Sequence, residues 1–297
     1  MANKLSHYRD RLNSGLKIDS AVKRSIAQEI YTHLEDKSQE LKEKGLSEEE
    51  ANNIAVESFG PPQLIAQQIY EVHSQGTCRE AFFASLPHLL VALLFTSYYW
   101  QNIIFLSGTL VAVTGVVVYG WYHNKPMWFF PWLGYYLLPV VVTGILLIYL
   151  LQGWIWLATL IYIPLALFVV IYILKEAASR DWLYVSLMLT PFPVVLSWLL
   201  ALGTGNECLV NSIPLAKLQV NIPWIVISFL VLAMATFTFT RVRQRWCKAI
   251  ALLIPASIIL ILIAIANRGS VNFCRWLILT LSLFALASPA LLRARSQ

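Results

Sequence analysis

The amino-acid sequence predicts an all-α protein: a polytopic α-helical membrane protein with a small N-terminal helical domain. Of its 297 residues, 58% are hydrophobic and only 13% are charged, a composition typical of membrane proteins. Thirteen of the sixteen Asp and Glu residues lie within residues 1–80, and only Glu176, Asp181 and Glu207 follow. We therefore predict a soluble domain over residues 1–78 and a transmembrane domain over residues 79–297.

The soluble domain is predicted to contain four helices. The ends of these helices are marked by the cap and turn residues Asp19, Gly45, Ser47, Gly60 and Gly76. Asp19 has the residue type of an N-cap, and Gly45 that of a C-terminal stop. Ser47 and Glu50 have the spacing of a capping box, in which each side chain binds the backbone N–H of the other. Such a domain is close to the size at which a single core is marginal.

Three short runs in this domain carry a resemblance to a known family. They are Glu-Ile-Tyr-Thr-His-Leu at residues 29–34, Gly-Leu-Ser-Glu-Glu-Glu-Ala at residues 45–51, and Phe-Gly-Pro at residues 59–61. Together they resemble the HAAS (helix-turn-helix-associated α-helical signalling) domain, whose relatives include the permease prefix domains. The resemblance covers roughly residues 1–80. One departure is the pair Pro61-Pro62, which stands where the family usually has a polar residue before a single proline.

The resemblance implies a cytoplasmic adaptor fused to a membrane domain. In some relatives this adaptor works with PadR-type winged-helix repressors, and in others it precedes an ABC-type permease.

Glu29 and His33 lie one turn apart on the second helix, a spacing that also suits a metal. Because no second carboxylate–histidine pair converges on them, we predict a surface pair and no metal site. With Glu48 and Glu49, they are the candidate partner-binding residues.

The transmembrane domain is predicted to have eight spans, since each needs about 20 mainly apolar residues. The spans lie near residues 84–100, 103–121, 133–151, 154–174, 182–202, 222–240, 249–266 and 276–292. Connections on the N-terminal side carry nine Lys and Arg residues and those on the opposite side carry three, which predicts that both termini are cytoplasmic. Residues 1–80 are polar and show no cleavable signal peptide. The predicted location is the bacterial cytoplasmic (inner) membrane.

The four cysteines show no Cys-x-x-Cys spacing, which argues against zinc binding and thioredoxin-like chemistry. In the predicted topology, Cys208 and Cys274 lie on the extracytoplasmic side. Cys78 and Cys247 face the reducing cytosol. A disulfide between Cys208 and Cys274 is therefore our prediction.

The strongest basic segment connects the sixth and seventh predicted spans. It contains Arg241, Arg243, Arg245 and Lys248, and we predict that it binds anionic lipid headgroups. Docking of the acidic N-terminal domain on the same segment is an open alternative.

Proline and glycine mark further positions within the spans. Pro191 and Pro193 are the best hinge candidates, because two closely spaced prolines free two backbone carbonyls; ordinary packing variety is the alternative. Gly108, Gly115 and Gly120 in the second span permit close approach of another helix, from this chain or from a partner.

No Asp, Glu, Lys or Arg lies in the predicted span interiors. This argues against proton- or sodium-coupled transport, although backbone carbonyls can still coordinate an ion. His88, near the cytoplasmic end of the first span, is predicted to be an interfacial hydrogen-bonding residue and not a proton carrier.

No catalytic motif occurs: there is no Gly-x-Ser-x-Gly elbow, no His-Glu-x-x-His helix and no Walker-type loop.

We predict a non-enzymatic protein without a cofactor that acts by protein–protein interaction in sensing or regulation. A change in the spans would reach the HAAS-like domain through residues 76–79. The predicted partners are membrane lipids and a cytoplasmic protein, such as a PadR-type repressor, or a membrane complex. Direct nucleic-acid binding is not predicted, since the soluble part has no basic stripe.

Two alternatives remain open from the sequence. The protein is a permease or permease subunit with a regulatory prefix domain, or it is an accessory subunit of a larger membrane complex.

Overall fold

The computed structural model describes residues 4–16, 20–73, 75–123, 125–149, 155–203, 214–267 and 272–285. Every regular element in these ranges is helical and none is a strand, which confirms the predicted all-α class. Asp19, Cys208 and the end of the eighth predicted span lie outside the described residues.

The chain divides into two compact units, Met1–Gln75 and Gly76–Gln297. We call them the N-terminal unit and the membrane unit. The N-terminal unit contains α1 (Lys4–Gly15), α2 (Ser20–Glu43), α3 (Glu48–Phe59) and α4 (Pro62–His73).

Local chemistry explains the helix boundaries of the N-terminal unit. Ser47 and Glu50 form the predicted capping box at the start of α3. The hydrogen bond from Ser47 holds the pKa of the Glu50 carboxyl below its usual value. Gly45 and Gly60 have φ angles of +95° and +86°, which a residue with a Cβ rarely adopts. Both turns therefore require glycine.

The core of the N-terminal unit is built from small and branched apolar side chains. Leu5, Leu12, Leu34, Ala51 and Ala55 are all buried in it. The four candidate partner-binding residues, Glu29, His33, Glu48 and Glu49, are exposed on α2 and α3. Their role in binding stays a prediction.

The membrane unit contains nine α-helices within the described residues, with one short 3₁₀ turn at Tyr99–Gln101. They are α5 (Cys78–Thr96), α6 (Ile103–Tyr122), α7 (Phe129–Tyr149), α8 (Ile155–Arg180), α9 (Trp182–Leu189), α10 (Pro191–Leu202), α11 (Leu215–Arg241), α12 (Arg245–Asn267) and α13 (Phe273–Ala285).

Six segments of the described residues are long and apolar enough to cross a bilayer. They are Cys78–Thr96, Ile103–Tyr122, Ile155–Ala178, Trp182–Leu202, Leu215–Arg241 and Arg245–Asn267. Two shorter apolar segments, Phe129–Ile145 and Phe273–Ser282, correspond to the third and eighth predicted spans. Six such helices fit a multi-pass membrane protein.

The segments differ greatly in how much of their surface the protein covers. In Trp182–Leu202, 72% of the most apolar stretch is buried, compared with 17% in Ile103–Tyr122 and 6% in Ile155–Ala178. The α9–α10 segment is therefore central, and α6 and α8 are peripheral.

The predicted hinge lies where α9 passes into α10 at Thr190. The backbone at Thr190 has helical angles (φ −52°, ψ −38°), and its Oγ1 donates a hydrogen bond of 2.7 Å to the Leu187 carbonyl. Pro191 and Pro193 have no N–H to continue the helical ladder. The structure thus shows a break in the hydrogen bonding of one span, and motion about it stays a prediction.

Candidate functional site

Charged and hydrogen-bonding residues gather where the chain passes into the membrane unit. They lie at the start of α5, the end of α11, and the starts of α9 and α12. We call this group, Gly76, Asp181, Arg241, Arg245 and Lys248, the polar junction. Ionisable residues buried among spanning helices are costly and commonly functional, which makes the junction the candidate site.

Gly76 joins the start of α5 to the end of α11. Its N–H donates to the Thr240 carbonyl at 2.9 Å, and its own carbonyl accepts from Arg241 Nη1 at 3.2 Å. A Cβ at Gly76 would lie 2.6 Å from Thr240 Cγ2, so only glycine fits without a shift. The connection over residues 76–79, predicted as a linker, is therefore tied to α11 at its first residue.

A second capping box fixes the residues that follow. Thr77 Oγ1 accepts from the Glu80 N–H at 3.2 Å, and the Glu80 carboxylate accepts from the Thr77 N–H at 2.8 Å. Because of this cap, α5 begins at Cys78, earlier than the first span predicted over residues 84–100. The helix ends at Thr96. The Thr-x-x-Glu spacing was readable in the sequence and marks the earlier start.

Asp181 is the buried anion of the polar junction. Its side chain is 0% exposed and pairs with Arg245 Nη2 at 2.9 Å. The same carboxylate accepts from the Leu183 N–H at 3.3 Å, which caps α9. A buried ion pair is favourable only when further hydrogen bonds satisfy its charged groups, and the cap supplies one of them.

Lys248 is the buried cation of the polar junction, with 0% of its surface exposed. Its Nζ lies 5.3 Å from the centroid of the Phe239 ring, a cation–π distance, and it interacts electrostatically with Asp181. Lys248 lies one turn into α12, which starts at Arg245, and its side chain is buried among the other helices.

The structure corrects the predicted lipid-headgroup patch at Lys248, and headgroup binding by its three arginines stays a prediction. Lys248 lies inside the bundle and does not reach a headgroup, Arg245 pairs with Asp181, and Arg241 binds the Gly76 carbonyl. Arg243 is the residue of the four that the structure places on the exposed surface. Most of this basic segment holds helix ends together.

A second charged cluster joins the α6–α7 connection to the end of α8. Lys125 Nζ lies 2.5 Å from Glu176 Oε1 and 4.3 Å from the centroid of the Trp121 ring. Lys125 itself has a left-handed backbone, with φ +52°. Sequence reasoning counted Lys125 as a loop cation and missed its carboxylate partner.

Cations also bind the carboxyl end of α10. Arg275, buried at the start of α13, donates to the Gly203 carbonyl at 2.7 Å, and Lys217 donates to the Ala201 carbonyl at 3.0 Å. Positive charge at the end of a helix complements its unpaired carbonyls.

The cysteines are described in part. Cys78 and Cys247 carry free thiols, whereas Cys274 is in the disulfide-bonded form. Because Cys208 lies outside the described residues, the pairing of Cys208 with Cys274 stays a prediction.

His88 links three helices in the interior of the membrane unit. Its Nδ1 lies 2.7 Å from the Tyr135 hydroxyl of α7, and its Nε2 lies 2.9 Å from Thr236 Oγ1 of α11. The predicted hydrogen-bonding role is confirmed, and the predicted interfacial depth in the bilayer stays a prediction. His88 is fully buried because α5 packs along α11 at this point.

Replacing His88 with alanine is expected to lower the free energy of unfolding by about 2–4 kcal/mol. The substitution leaves a cavity and removes the hydrogen-bond partner of the Tyr135 and Thr236 hydroxyls. Thr236→Val removes one of the two hydrogen bonds and is expected to cost about 1 kcal/mol. Leu93→Ala, at an exposed position of the same helix, is the matched control with a change below about 0.5 kcal/mol. Thermal unfolding in detergent measures all three, and equal losses for His88→Ala and Leu93→Ala would contradict the role of the bridge.

Comparisons of the chain with protein-family models, with curated proteins and with solved structures find no match. The resemblance of residues 1–80 to HAAS domains stays a prediction from the residues themselves.

Proposed function

We propose that the protein is a membrane-embedded regulator or sensor that acts by protein–protein interaction. Its N-terminal unit is the HAAS-like binding module, and a change in the membrane-spanning helices is the signal that this module receives. The observation that supports this proposal best is the pair of hydrogen bonds at Gly76. Gln75, the last residue of the N-terminal unit, precedes Gly76 directly, so a shift of the end of α11 displaces the point where that unit is attached.

The proposed topology has eight spans, with both termini cytoplasmic in a bacterial inner membrane. α7 is 21 residues long, enough for the third span, and α13 begins the eighth. The excess of Lys and Arg on one side supports the orientation. In this topology the polar junction lies at the cytoplasmic ends of the spans.

The proposed partner is a cytoplasmic protein that contacts the exposed Glu29, His33, Glu48 and Glu49. The HAAS resemblance favours a PadR-type winged-helix repressor. The membrane lipids around the spans are the second kind of partner.

The proposal is tested by isolating the intact protein from gently solubilised membranes and identifying what copurifies. We expect a cytoplasmic regulatory protein that is recovered with the full chain and lost when residues 1–75 are deleted. An ATPase in its place would favour a permease subunit. Retention of the same protein by residues 76–297 alone would contradict the proposed binding module.

The relay through Gly76 is tested in the same experiment with a compensating pair. Gly76→Ala puts a Cβ against Thr240 Cγ2, and we expect it to change partner recovery by at least about threefold. Thr240→Ser removes that methyl group and keeps the hydroxyl, so Gly76→Ala with Thr240→Ser is expected to restore recovery. If Gly76→Ala leaves recovery unchanged while residues 1–75 are still required, the N-terminal unit binds the partner but the proposed relay through Gly76 is wrong.

One observation favours a second candidate, an accessory subunit of a larger membrane complex. α6 and α8 are covered over only 17% and 6% of their most apolar stretches, which leaves two helices available to another protein. Recovery of a stoichiometric membrane assembly that persists without residues 1–75 would support this candidate.

A further inference from the structure

An apolar groove runs between α6, α7 and α8. Leu133 and Tyr136 of α7 form its floor, Val118 belongs to the α6 wall, and Phe168 to the α8 wall. The groove has a volume of about 230 Å³, far above the 10–15 Å³ or so that a single water needs. Val118 and Phe168 are exposed, so the groove is open along the outer face of apolar spanning helices.

Aromatic rings close one end of this groove. Trp121 of α6 and Tyr172 of α8 approach across it with ring centroids 6.0 Å apart. Phe168 stacks on Tyr172 at 6.3 Å, which extends the aromatic wall along α8. A helix with its side chains has a diameter of about 10 Å, so this end is too narrow for a helix of another protein but suits a hydrocarbon chain.

Positive charge lies just beyond the aromatic end. Lys175 is exposed and follows Tyr172 by three residues, which places both on one side of α8. Lys125 lies over the Trp121 ring, and Glu176 neutralises it. The two lysines and one glutamate leave a net charge of +1 beside the aromatic end of the groove.

We propose that the groove is a binding site for a bilayer phospholipid with an anionic headgroup. One acyl chain lies along Val118 and Phe168 under the Trp121–Tyr172 pair, and the phosphate contacts Lys175. An apolar channel with a cation at one end matches an amphiphile with a charged head, and it matches neither a soluble metabolite nor a second protein helix. This inference is independent of the proposed function, because it uses no residue of the polar junction or of the N-terminal unit.

The acyl-chain part is tested by native mass spectrometry of the full-length protein in detergent with added phosphatidylglycerol. Val118→Trp fills the groove and is expected to weaken lipid retention by at least about tenfold. Val111→Trp is the matched control, because Val111 is exposed on the same helix two turns away and does not line the groove. Equal retention by the two variants would mean that only unspecific annular lipid is bound, and it would overturn the proposal.

The headgroup part is tested by charge removal. Lys175→Gln is expected to weaken phosphatidylglycerol retention about tenfold and to leave phosphatidylcholine retention unchanged. Arg24→Gln removes an exposed cation from α2 of the N-terminal unit and is expected to change neither. Equal preference of the unmodified protein for both lipids would overturn the anionic headgroup. A change of oligomeric state on Val118→Trp would overturn the lipid site in favour of a protein interface.

Discussion

Replacing Gly134 with alanine is expected to destabilise the membrane unit by about 3 kcal/mol or more. A Cβ at this position of α7 would lie 2.0 Å from the Met188 carbonyl oxygen and 3.1 Å from its carbon. These are backbone atoms, so no side-chain rotation relieves the overlap, and α7 must move away from α9. The third contact, Pro191 Cγ at 3.3 Å, shows that the break between α9 and α10 is packed directly against this glycine.

Gly115→Ala on α6 is the matched control. A Cβ at Gly115, as at Gly108, meets nothing within 4 Å. Because alanine is favoured over glycine within a helix by about 1 kcal/mol, Gly115→Ala is expected to be neutral or stabilising. Unfolding followed by tryptophan fluorescence during SDS titration compares the variants, and similar midpoints for Gly134→Ala and Gly115→Ala would disprove the close packing at Met188.

The two glycine positions show what the sequence can and cannot predict about packing. The pattern on α6 predicts close approach of another helix at Gly108, Gly115 and Gly120, but the structure brings neighbouring side chains only to Gly120, where Phe129 packs. The closest approach occurs at Gly134, which no local pattern distinguishes. A glycine permits a close contact, and the position of the neighbouring helix decides whether the contact forms.

The positions of the spans were easier to predict than their burial, because burial depends on where the neighbouring helices lie. The prediction for α6, residues 103–121, agrees with the observed Ile103–Tyr122, because a long apolar run is a local property. The peripheral segment Ile155–Ala178 has a mean hydropathy of 2.6, and the central segment Trp182–Leu202 has 2.0. In a bilayer the lipid-facing side is as apolar as the protein-facing side, so hydropathy does not reveal which helix lies inside.

In the candidate site, too, the local patterns are readable from the sequence and the contacts between distant residues are not. The Thr77–Glu80 capping box is a local pattern four residues long, and the sequence alone contains it. His88 and Thr236 are 148 residues apart, and Asp181 and Arg245 are 64 apart. Such pairs depend on which spans become neighbours, and one sequence does not specify that.

Asp181→Asn is expected to cost about 3–5 kcal/mol, the loss typical of breaking a buried ion pair by removing one partner. Asparagine is as good an N-cap as aspartate, so the cap of α9 is retained and the effect isolates the negative charge. The variant leaves the buried Lys248 and the partly buried Arg245 without the carboxylate that compensates them. Thermal unfolding in detergent, with the yield of inserted protein as a second readout, measures the loss.

A double-mutant cycle shows whether the charge pair carries this loss. In Asp181→Asn with Arg245→Gln, the cation is removed with its partner, and the combined cost is expected to be smaller than the sum of the single costs by about 1–3 kcal/mol. Arg24→Gln, at an exposed position of α2, is the control for loss of a surface cation, with a change within about 0.5 kcal/mol. Strict additivity in the cycle would mean that Asp181 acts mainly as the cap of α9 and that the Asp181–Arg245 ion pair contributes little to the stability of the polar junction.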